Sequence, residues 1–199
     1  TGRGPEKEAV RIVGGQLKGR QLQAPGGRDL RPTSDRARES IFNVIMHGLG
    51  DWDGSLDGAS VVDVFAGTGA LGLEALSRGA AHATFIDNGA NSLAMLKKNA
   101  AQLGAWRDAT LLKLDATHLP PPPLAAKAPC GVAFLDAPYS QELTTPALNG
   151  LRRQGWIADG SLCVAEIATD EQLIAGPGFT QLDERTYGAA KVVFLQYRA

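Results

Sequence analysis

Apolar residues between positions 60 and 167 alternate between short β-branched runs and stripes with helical spacing. The runs predict strands and the stripes predict helices. The predicted strands are 60–65, 82–87, 109–114, 130–136 and 161–167, and the predicted helices lie near 70–78, 90–103 and 143–154. Apolar strands that alternate with helices are typical of a parallel sheet covered on both sides. The pattern therefore predicts an α/β fold.

The C-terminal segment departs from this alternation. The stretches 181–187 and 192–197 are separated by a short turn, with no helical stripe between them. Two such neighbouring stretches predict an antiparallel hairpin. Added to the five preceding strands, the hairpin gives a mostly parallel sheet of seven strands.

The N-terminal segment shows a third pattern. Short, glycine-punctuated segments at 11–15 and 19–23 predict a small β-hairpin. Apolar positions at helical spacing within 41–49 then predict a helix, which Ser34 or Asp35 can cap.

Length and composition fit one globular domain with an appendage, at 199 residues, 44% hydrophobic and 21% charged. We expect residues 1–9 to be disordered or vector-derived, residues 10–50 to form a basic hairpin-and-helix extension, and residues 51–199 to form the main domain. No apolar run approaches the roughly 18 residues of a membrane span, and no signal peptide is visible. We expect a cytoplasmic monomer without a membrane partner.

The positions of the cysteines and histidines argue against disulfide bonds and a metal site. Cys130 and Cys163 stand singly in apolar runs, which predicts buried free thiols in a reducing compartment. His47, His82 and His118 lack metal-ligand spacing, so no metal site is expected.

Charge is distributed unevenly along the chain. The net charge is −1, but the first 40 residues hold nine basic and five acidic side chains. A basic arm on a mildly acidic body favours a polyanionic partner, although a solvated terminus would have the same composition.

A glycine-spaced turn follows the first predicted strand of the main domain. Gly67, Gly69 and Gly72 give the pattern G-x-G-x-x-G, and a predicted helix begins behind it. Glycine permits a positive φ and close approach of a ligand to the backbone, while the helix N-terminus offers unpaired N–H groups. Dehydrogenases and methyltransferases both carry this turn.

Acidic residues at the strand ends help to decide between these two classes. Asp87 lies 18 residues beyond Gly69, where a carboxylate can accept both ribose hydroxyls of an adenosine. Asp115 could face an adenine amino group, although each of these aspartates could also be a helix N-cap. Asp63 could reach an ammonium group, which S-adenosylmethionine has, whereas a carboxylate aimed at the pyrophosphate of NAD would be repelled. The cofactor-binding candidates from these strand ends are Asp63, Phe65, Gly67, Thr68, Gly69, Gly72, Asp87, Asn88, Asp115 and Ala116.

The fourth strand end carries Asp136-Ala137-Pro138-Tyr139, which resembles the [D/N]-P-P-[Y/F] motif of amino-group methyltransferases. The lone pair of an exocyclic base amine is delocalised into the ring, so the amine is a poor nucleophile. Acceptors on its N–H groups, here the Asp136 carboxylate and the Ala137 carbonyl, favour a pyramidal nitrogen with a usable lone pair. Tyr139 would stack on the extruded base, and Pro138 would stiffen the turn. The predicted reaction is direct in-line methyl transfer without a covalent enzyme intermediate.

With these residues in view, the chain resembles the bacterial RsmD family, which methylates a guanine N2 in small-subunit (16S) ribosomal RNA. The resemblance rests on Arg11 to Gly15, Lys18 to Arg20, Arg31 to Glu39, Phe42-Asn43, Asp63 to Gly72, Glu74 to Ala80 and Asp136 to Tyr139. One departure is Ala137, where the family usually has proline, so the carbonyl acceptor is retained but a φ constraint is lost.

The resemblance implies a Rossmann-like class I fold, S-adenosylmethionine as methyl donor with S-adenosylhomocysteine as product, and 16S RNA or the small subunit as partner. It also implies that Thr33 and its neighbours fold over the methionine end of the cofactor, and that the N-terminal hairpin engages RNA. The residues then expected to contact RNA are Arg11, Lys18, Arg20, Arg31, Arg36 and Arg38.

Other readings stay open at this point. The same motif serves amino groups of adenine or cytosine in another RNA or in DNA. An NAD-dependent oxidoreductase would share the glycine turn, and a non-catalytic RNA-binding module could retain the fold.

Overall fold

The structure is a computed structural model that describes residues 10–25, 33–139 and 142–199. Its strands are β1 (Val10–Arg11), β2 (Gln21–Leu22), β3 (Ser60–Val64), β4 (His82–Asp87), β5 (Ala109–Lys113), β6 (Cys130–Asp136), β7 (Ile157–Ala168), β8 (Phe179–Tyr187) and β9 (Ala190–Tyr197). Its α-helices are α1 (Asp35–Asn43), α2 (Ala70–Ser77), α3 (Ala90–Gln102) and α4 (Thr144–Arg153). Short 3₁₀ turns lie at Trp106–Asp108 and Leu124–Ala126, and a π-helical turn at Val44–Gly48 continues α1.

Seven strands form one sheet in the order β5-β4-β3-β6-β7-β9-β8. The first five strands in this order are parallel to one another, whereas β9 pairs antiparallel with both β7 and β8. This arrangement confirms the predicted α/β fold with a C-terminal antiparallel hairpin. The strand order reverses between β3 and β6, which is where open α/β sheets bind their ligands.

The core lies on both faces of the sheet because successive side chains of a strand point to opposite sides. On β3, Val61 packs in the hydrophobic cluster on one face, and Val62 and Val64 pack in the cluster on the other. On β6, Phe134 and Leu135 divide in the same way. Burial on both faces explains why these strands read as continuous apolar runs.

The N-terminal extension packs onto α2 through a buried polar contact. The Val13 amide donates to the Glu74 carboxylate at 3.0 Å, and the Leu17 amide donates to the Ser77 hydroxyl at 2.9 Å. The Ser77 hydroxyl in turn donates to the Gly14 carbonyl at 2.6 Å. These bonds explain the polar positions of an otherwise apolar helix. The division of the chain at residue 50 stays a prediction.

Several element boundaries differ from the sequence prediction, among them the start of β7 and the end of α1. Strand β7 begins at Ile157, four residues before the predicted start at 161, because a register shift opposite Cys130 and Val132 accommodates the polar Asp159-Gly160 segment. The apolar stripe after α1 ends in a π-helical turn rather than a continuous helix. Ser34 caps α1 as predicted, since its hydroxyl accepts from the Ala37 amide at 3.1 Å.

Cys130 on β6 and Cys163 on β7 are buried free thiols, as predicted. Burial raises the pKa of each thiol to about 12, so neither is a reactive thiolate at neutral pH. Among the residues that the structure describes, no helix has the length and apolar character needed to cross a membrane.

Candidate active site

The glycine turn joins β3 to α2 with backbone that favours glycine. Gly67 has φ of 55° and Gly69, the N-cap of α2, has φ of 79°. A Cβ added to Gly72 would lie 2.3 Å from the ring of Phe85 on β4, so this glycine allows the helix to pack closely against the sheet. A Cβ added to Gly67 would meet no protein atom within 4 Å, which shows open space beside the turn. Phe65 has a positive φ of 59°, which is rare for an aromatic residue and marks the turn as strained.

Asn99 on α3 is hydrogen-bonded to this turn, and Asn99 was not among the sequence candidates. Its buried side-chain amide donates to the carbonyls of Thr68 and Gln23, both at 3.0 Å, and its oxygen accepts from the Gln23 amide at 2.7 Å. The N-terminal hairpin and the glycine turn are therefore tied to one side chain. A polar residue within an alanine-rich helical stripe was the available signal.

Asp63 lies beneath the turn with its carboxyl group fully buried. Its Oδ2 accepts from the Gly72 amide at 2.9 Å. Burial raises the pKa of Asp63 to about 8, the Gly72 hydrogen bond opposes this rise, and the charge of Asp87 adds to it. No cationic side chain of the described ranges forms an ion pair with Asp63. The site thus holds a buried acid that a cationic ligand would stabilise in its ionised form.

Asp87 connects the end of β4 to the glycine turn. Its carboxylate accepts from the Gly67 amide at 2.9 Å and from the Gly89 amide at 2.8 Å. Each oxygen keeps a further lone pair, so the group can still accept hydroxyl donors from a ligand. Asn88 beside it is exposed.

Asp115 is engaged in its own turn after β5. Its exposed carboxylate accepts from the backbone amide and the hydroxyl of Thr117, at 2.9 and 2.7 Å, and lies beside the ring of His118. These hydrogen bonds from Thr117 lower the pKa of Asp115. Asp115 thus serves a turn rather than the helix N-cap that the sequence left open, since the residues directly after it form a turn, and Ala116 is buried.

Asp136 ends β6 next to Glu166 on β7, because parallel pairing places the two residues side by side. Burial and the charges of Glu166 and Asp63 raise the pKa of Asp136 well above its ordinary value. Ala137 is buried, Pro138 is exposed, and the Tyr139 side chain is 39% exposed at the same sheet edge. The Tyr139 phenol donates to Glu166 Oε1 at 2.9 Å.

Thr33 reaches this edge from the N-terminal extension. Its hydroxyl donates to Glu166 Oε2 at 2.6 Å and lies 3.4 Å from Asp136 Oδ2. Glu166 was not among the sequence candidates because it stands inside the apolar run 161–167. A lone carboxylate in a buried parallel strand was the signal that could have identified it.

The basic residues of the N-terminal extension divide into exposed and buried groups. Lys18, Arg20 and Arg36 are exposed, and Arg20 donates to the Gln102 carbonyl at 2.6 Å. Arg11 is exposed and forms an ion pair with Asp35 at 3.3 Å.

Arg38, by contrast, is fully buried. Its guanidinium forms an ion pair with Asp35 at 2.9 Å and donates to the carbonyls of Arg11 and Thr33. Burial removes Arg38 from the surface that RNA could contact and gives it a structural position instead. Arg31 lies outside the described residues.

Comparison with known proteins gives a consistent picture. A family model described as "Conserved hypothetical protein 95" matches residues 10–196. The "Ribosomal RNA small subunit methyltransferase D" of Escherichia coli strain K12 is 37% identical over 190 residues, covering 95% of this chain and 89% of that protein. The solved structure of yhhF from Escherichia coli superposes with a TM-score of 0.77 at 33% identity, covering 96% of this chain and 99% of that one.

A more distant structure supports the fold alone. The Precorrin-6y C5,15-methyltransferase from Geobacter metallireducens has a TM-score of 0.63 at 13% identity, over 89% of this chain and 94% of that one. The sheet order and the hairpin therefore belong to a methyltransferase fold.

Proposed function

The chain belongs to the RsmD family of ribosomal RNA small-subunit methyltransferases, and we propose that it methylates the exocyclic N2 amino group of a guanine in small-subunit (16S) ribosomal RNA. We propose S-adenosylmethionine as methyl donor and a monomer acting in the bacterial cytoplasm. The observation that carries the proposal is the meeting of the Asp136–Tyr139 motif, the glycine turn and Asp87 at the carboxyl edge of one parallel sheet.

The residues at this edge fit S-adenosylmethionine. Open space beside Gly67 leaves the backbone accessible to a ligand. Asp87 can accept ribose hydroxyls while it holds the turn, and the buried acid of Asp63 can be compensated by a ligand cation such as an amino-acid ammonium. Asp115, in contrast, contributes less to this fit, because its carboxylate is exposed and bonded within its own turn.

The remaining candidates complete the proposed cofactor site. We propose that Phe65, Thr68, Gly69 and Gly72 shape the turn, that Asn88 and Ala116 line its rim, and that Thr33 lies near the methyl-transfer end. S-adenosylmethionine supplies, when bound, an electrophilic methyl group on a sulfonium.

The chain's own groups prepare the acceptor amine. The carboxyl oxygens of Asp136 and the carbonyl of Ala137 accept the two N–H groups of guanine N2, which favours a pyramidal nitrogen with its lone pair directed away from the protein acceptors. The half-exposed ring of Tyr139 stacks on the base and fixes its distance. Once the nitrogen carries the new methyl group it loses one proton, and Asp136 in its ionised form is the proposed acceptor of that proton.

Exposed basic residues supply the proposed RNA contact. Lys18, Arg20, Arg36 and Arg11 lie on the N-terminal extension, which also brings Thr33 to the Asp136 edge. Phosphate contacts from this extension would place the RNA backbone beside the acceptor pocket.

The test is transfer of a tritiated methyl group from S-adenosylmethionine into small subunits and naked 16S RNA from cells that lack the endogenous activity. We expect N2-methylguanosine at a single site after digestion, absent with Asp136→Ala. Incorporation only into transfer RNA, large-subunit RNA or DNA would contradict the proposed substrate. Absence of S-adenosylmethionine binding by calorimetry would contradict the proposed cofactor.

A further inference from the structure

Glu166 is the buried residue that contacts both Tyr139 of the Asp136–Tyr139 motif and Thr33 of the N-terminal extension, at the carboxyl edge of the sheet. It is 7% exposed near the end of β7, where it pairs with Asp136 of β6. Its two carboxylate oxygens receive different donors, the Tyr139 phenol at 2.9 Å and the Thr33 hydroxyl at 2.6 Å. One side chain therefore contacts the proposed stacking ring and the N-terminal extension together.

The Thr33 hydroxyl can donate its single hydrogen to only one of the two neighbouring carboxyl groups, Glu166 or Asp136. The Thr33 hydroxyl has one hydrogen, and its distance to Glu166 is 2.6 Å against 3.4 Å to Asp136, so the hydrogen belongs to the Glu166 contact. Glu166 then accepts two hydroxyl hydrogens, one on each carboxyl oxygen. Asp136 receives no hydrogen bond shorter than 3.4 Å from the residues that the structure describes.

We infer that Glu166 is a positioning residue of the methyl-transfer site, which fixes the Tyr139 ring through its phenol and the N-terminal extension through Thr33. This inference rests on the proposed function, because it assigns Glu166 a part in placing the base that Tyr139 stacks on. Tyr139 is 39% exposed and extends from a loop, so packing alone restrains its ring weakly. The phenol contact removes rotational freedom before the base arrives, and such preorganisation increases the rate of transfer rather than the affinity for ligands.

A graded series of variants tests this role. Glu166→Ala removes both acceptors, and we expect kcat to fall about tenfold to a hundredfold, with KM for RNA and Kd for S-adenosylmethionine within about twofold of the parent. Glu166→Gln keeps one acceptor oxygen and should recover part of the lost kcat. Tyr139→Phe, which removes only the phenol oxygen, should lower kcat in the parent but cause no further loss in Glu166→Ala.

The matched control is Asp170→Ala, which removes an exposed carboxylate just beyond the end of β7 and should leave kcat unchanged. Independent, multiplicative losses from Tyr139→Phe and Glu166→Ala would overturn the inference. A Glu166→Ala variant with unchanged kcat, or with a loss confined to KM, would overturn it as well. Melting temperature and S-adenosylmethionine binding show whether each variant is folded.

A second measurement is independent of the RNA substrate. In carbon-13 NMR of the ligand-free protein, the Asp136 carboxyl should titrate at lower pH in Glu166→Gln than in the parent, because one of its two facing carboxylates is gone. Asp63 and burial remain, so the titration should stay above that of an ordinary aspartate. An unchanged Asp136 titration would overturn the placement of Glu166. If 16S RNA is not methylated, this result still stands or fails alone, and the kinetic series is repeated with whichever nucleic acid accepts the methyl group.

Discussion

Asp136 combines two properties that the proposed chemistry needs. Its carboxyl group lies at the partly buried end of β6, and desolvation together with the neighbouring charges of Glu166 and Asp63 raises its pKa. The raised pKa makes the ionised carboxylate a stronger base, which favours transfer of the proton that the methylated amine releases. Its oxygens can also accept an amine N–H, because the Thr33 hydroxyl lies 3.4 Å away and donates to Glu166 instead.

Replacing Asp136 separates these properties. Asp136→Asn keeps the size and one acceptor oxygen but cannot receive the amine proton, and Asp136→Ala removes the acceptor as well. We expect kcat to fall by at least about a hundredfold in both, since acid–base groups contribute on that scale. The Kd of S-adenosylmethionine, measured by calorimetry, should change by less than about threefold, because the proposed cofactor contacts lie at Asp63, Asp87 and the glycine turn.

Asp170→Asn serves as control for the loss of one carboxylate at an exposed position. Normal turnover of Asp136→Ala would remove Asp136 from the mechanism. A large loss of cofactor affinity in Asp136→Asn would move the residue into the cofactor site instead.

Single residues show where sequence reasoning succeeds and where it stops. Asp136 was identifiable because it follows an apolar strand, at the point where open sheets bind ligands. Glu166 was not, because it lies within the strand and becomes part of the site only through its register with Asp136. Arg38 contributed to the charge count of the basic arm, but the count carries no information about burial.

At the level of elements, the N-terminal extension is held against α2 by polar contacts, although most of that helix is apolar. Glu74 is fully buried, and its carboxylate receives the Val13 amide and lies within ion-pair distance of Arg78, at 3.5 Å. Gly15 has φ of 76°, and a Cβ there would lie 1.9 Å from the Ser77 carbonyl oxygen. The hairpin is thus shaped to approach the helix backbone, which a side chain at this glycine would prevent.

Ser77→Ala tests this docking. The variant loses a donor to the Gly14 carbonyl and an acceptor for the Leu17 amide, leaving both backbone groups without their partner. We expect the free energy of unfolding to fall by about 2 kcal/mol, measured by urea denaturation. Ser92→Ala on α3 is the control, because the Ser92 hydroxyl makes no hydrogen bond within the described residues. Equal stability of the two variants would contradict the docking role.

The exposed basic residues of the extension carry a second prediction at this level. Lys18→Ala and Arg36→Ala should each weaken RNA binding and reduce the slope of log K against log salt by about 1, because each removes one phosphate contact. Arg198→Ala is the control, since Arg198 pairs with Asp159 near the start of β7, away from the Asp136 edge. Filter binding between low and moderate salt gives the slopes. Unchanged slopes for Lys18→Ala and Arg36→Ala would place the RNA surface elsewhere.

The elements themselves were largely predictable. The five parallel strands were each expected from an apolar run, because burial leaves a strong signal in the sequence. Strand β8 is largely polar and was expected because no helical stripe separates it from β9. The start of β7 was missed because the polar Asp159-Gly160 pair resembles a loop, and only the pairing of Ile157 with Cys130, across a register shift, extends the strand beyond it. The π-helical turn after α1 was missed because its apolar spacing is close to that of an α-helix.

Across the whole molecule, buried acids gather beneath the ligand edge and behind α2. Burial raises the pKa of Asp63, Glu74 and Asp136, and in each case it is the largest cause. Placing these carboxyl groups away from water lowers the stability of the fold at the positions that bind the proposed ligand and the N-terminal extension, which is a common property of binding sites. The direction of the pH dependence follows from these pKa shifts.

Asp63 provides a test of how the stability of the fold changes with pH. Its pKa rises from 3.8 to about 8 in the folded protein, so between these values the folded state retains a proton that the unfolded state has released. The stabilisation is complete below the unfolded pKa and is lost as pH rises through the folded one, by at most about 1.4 kcal/mol per pH unit. Asp63→Asn cannot titrate, yet its amide oxygen can still accept the Gly72 amide. In urea denaturation from pH 5 to pH 9, the variant should therefore gain stability relative to the parent as pH rises, and the difference should level off above pH 8. Parallel stability curves would mean that Asp63 is ionised in the ligand-free protein, and a cation would then have to lie beside it already.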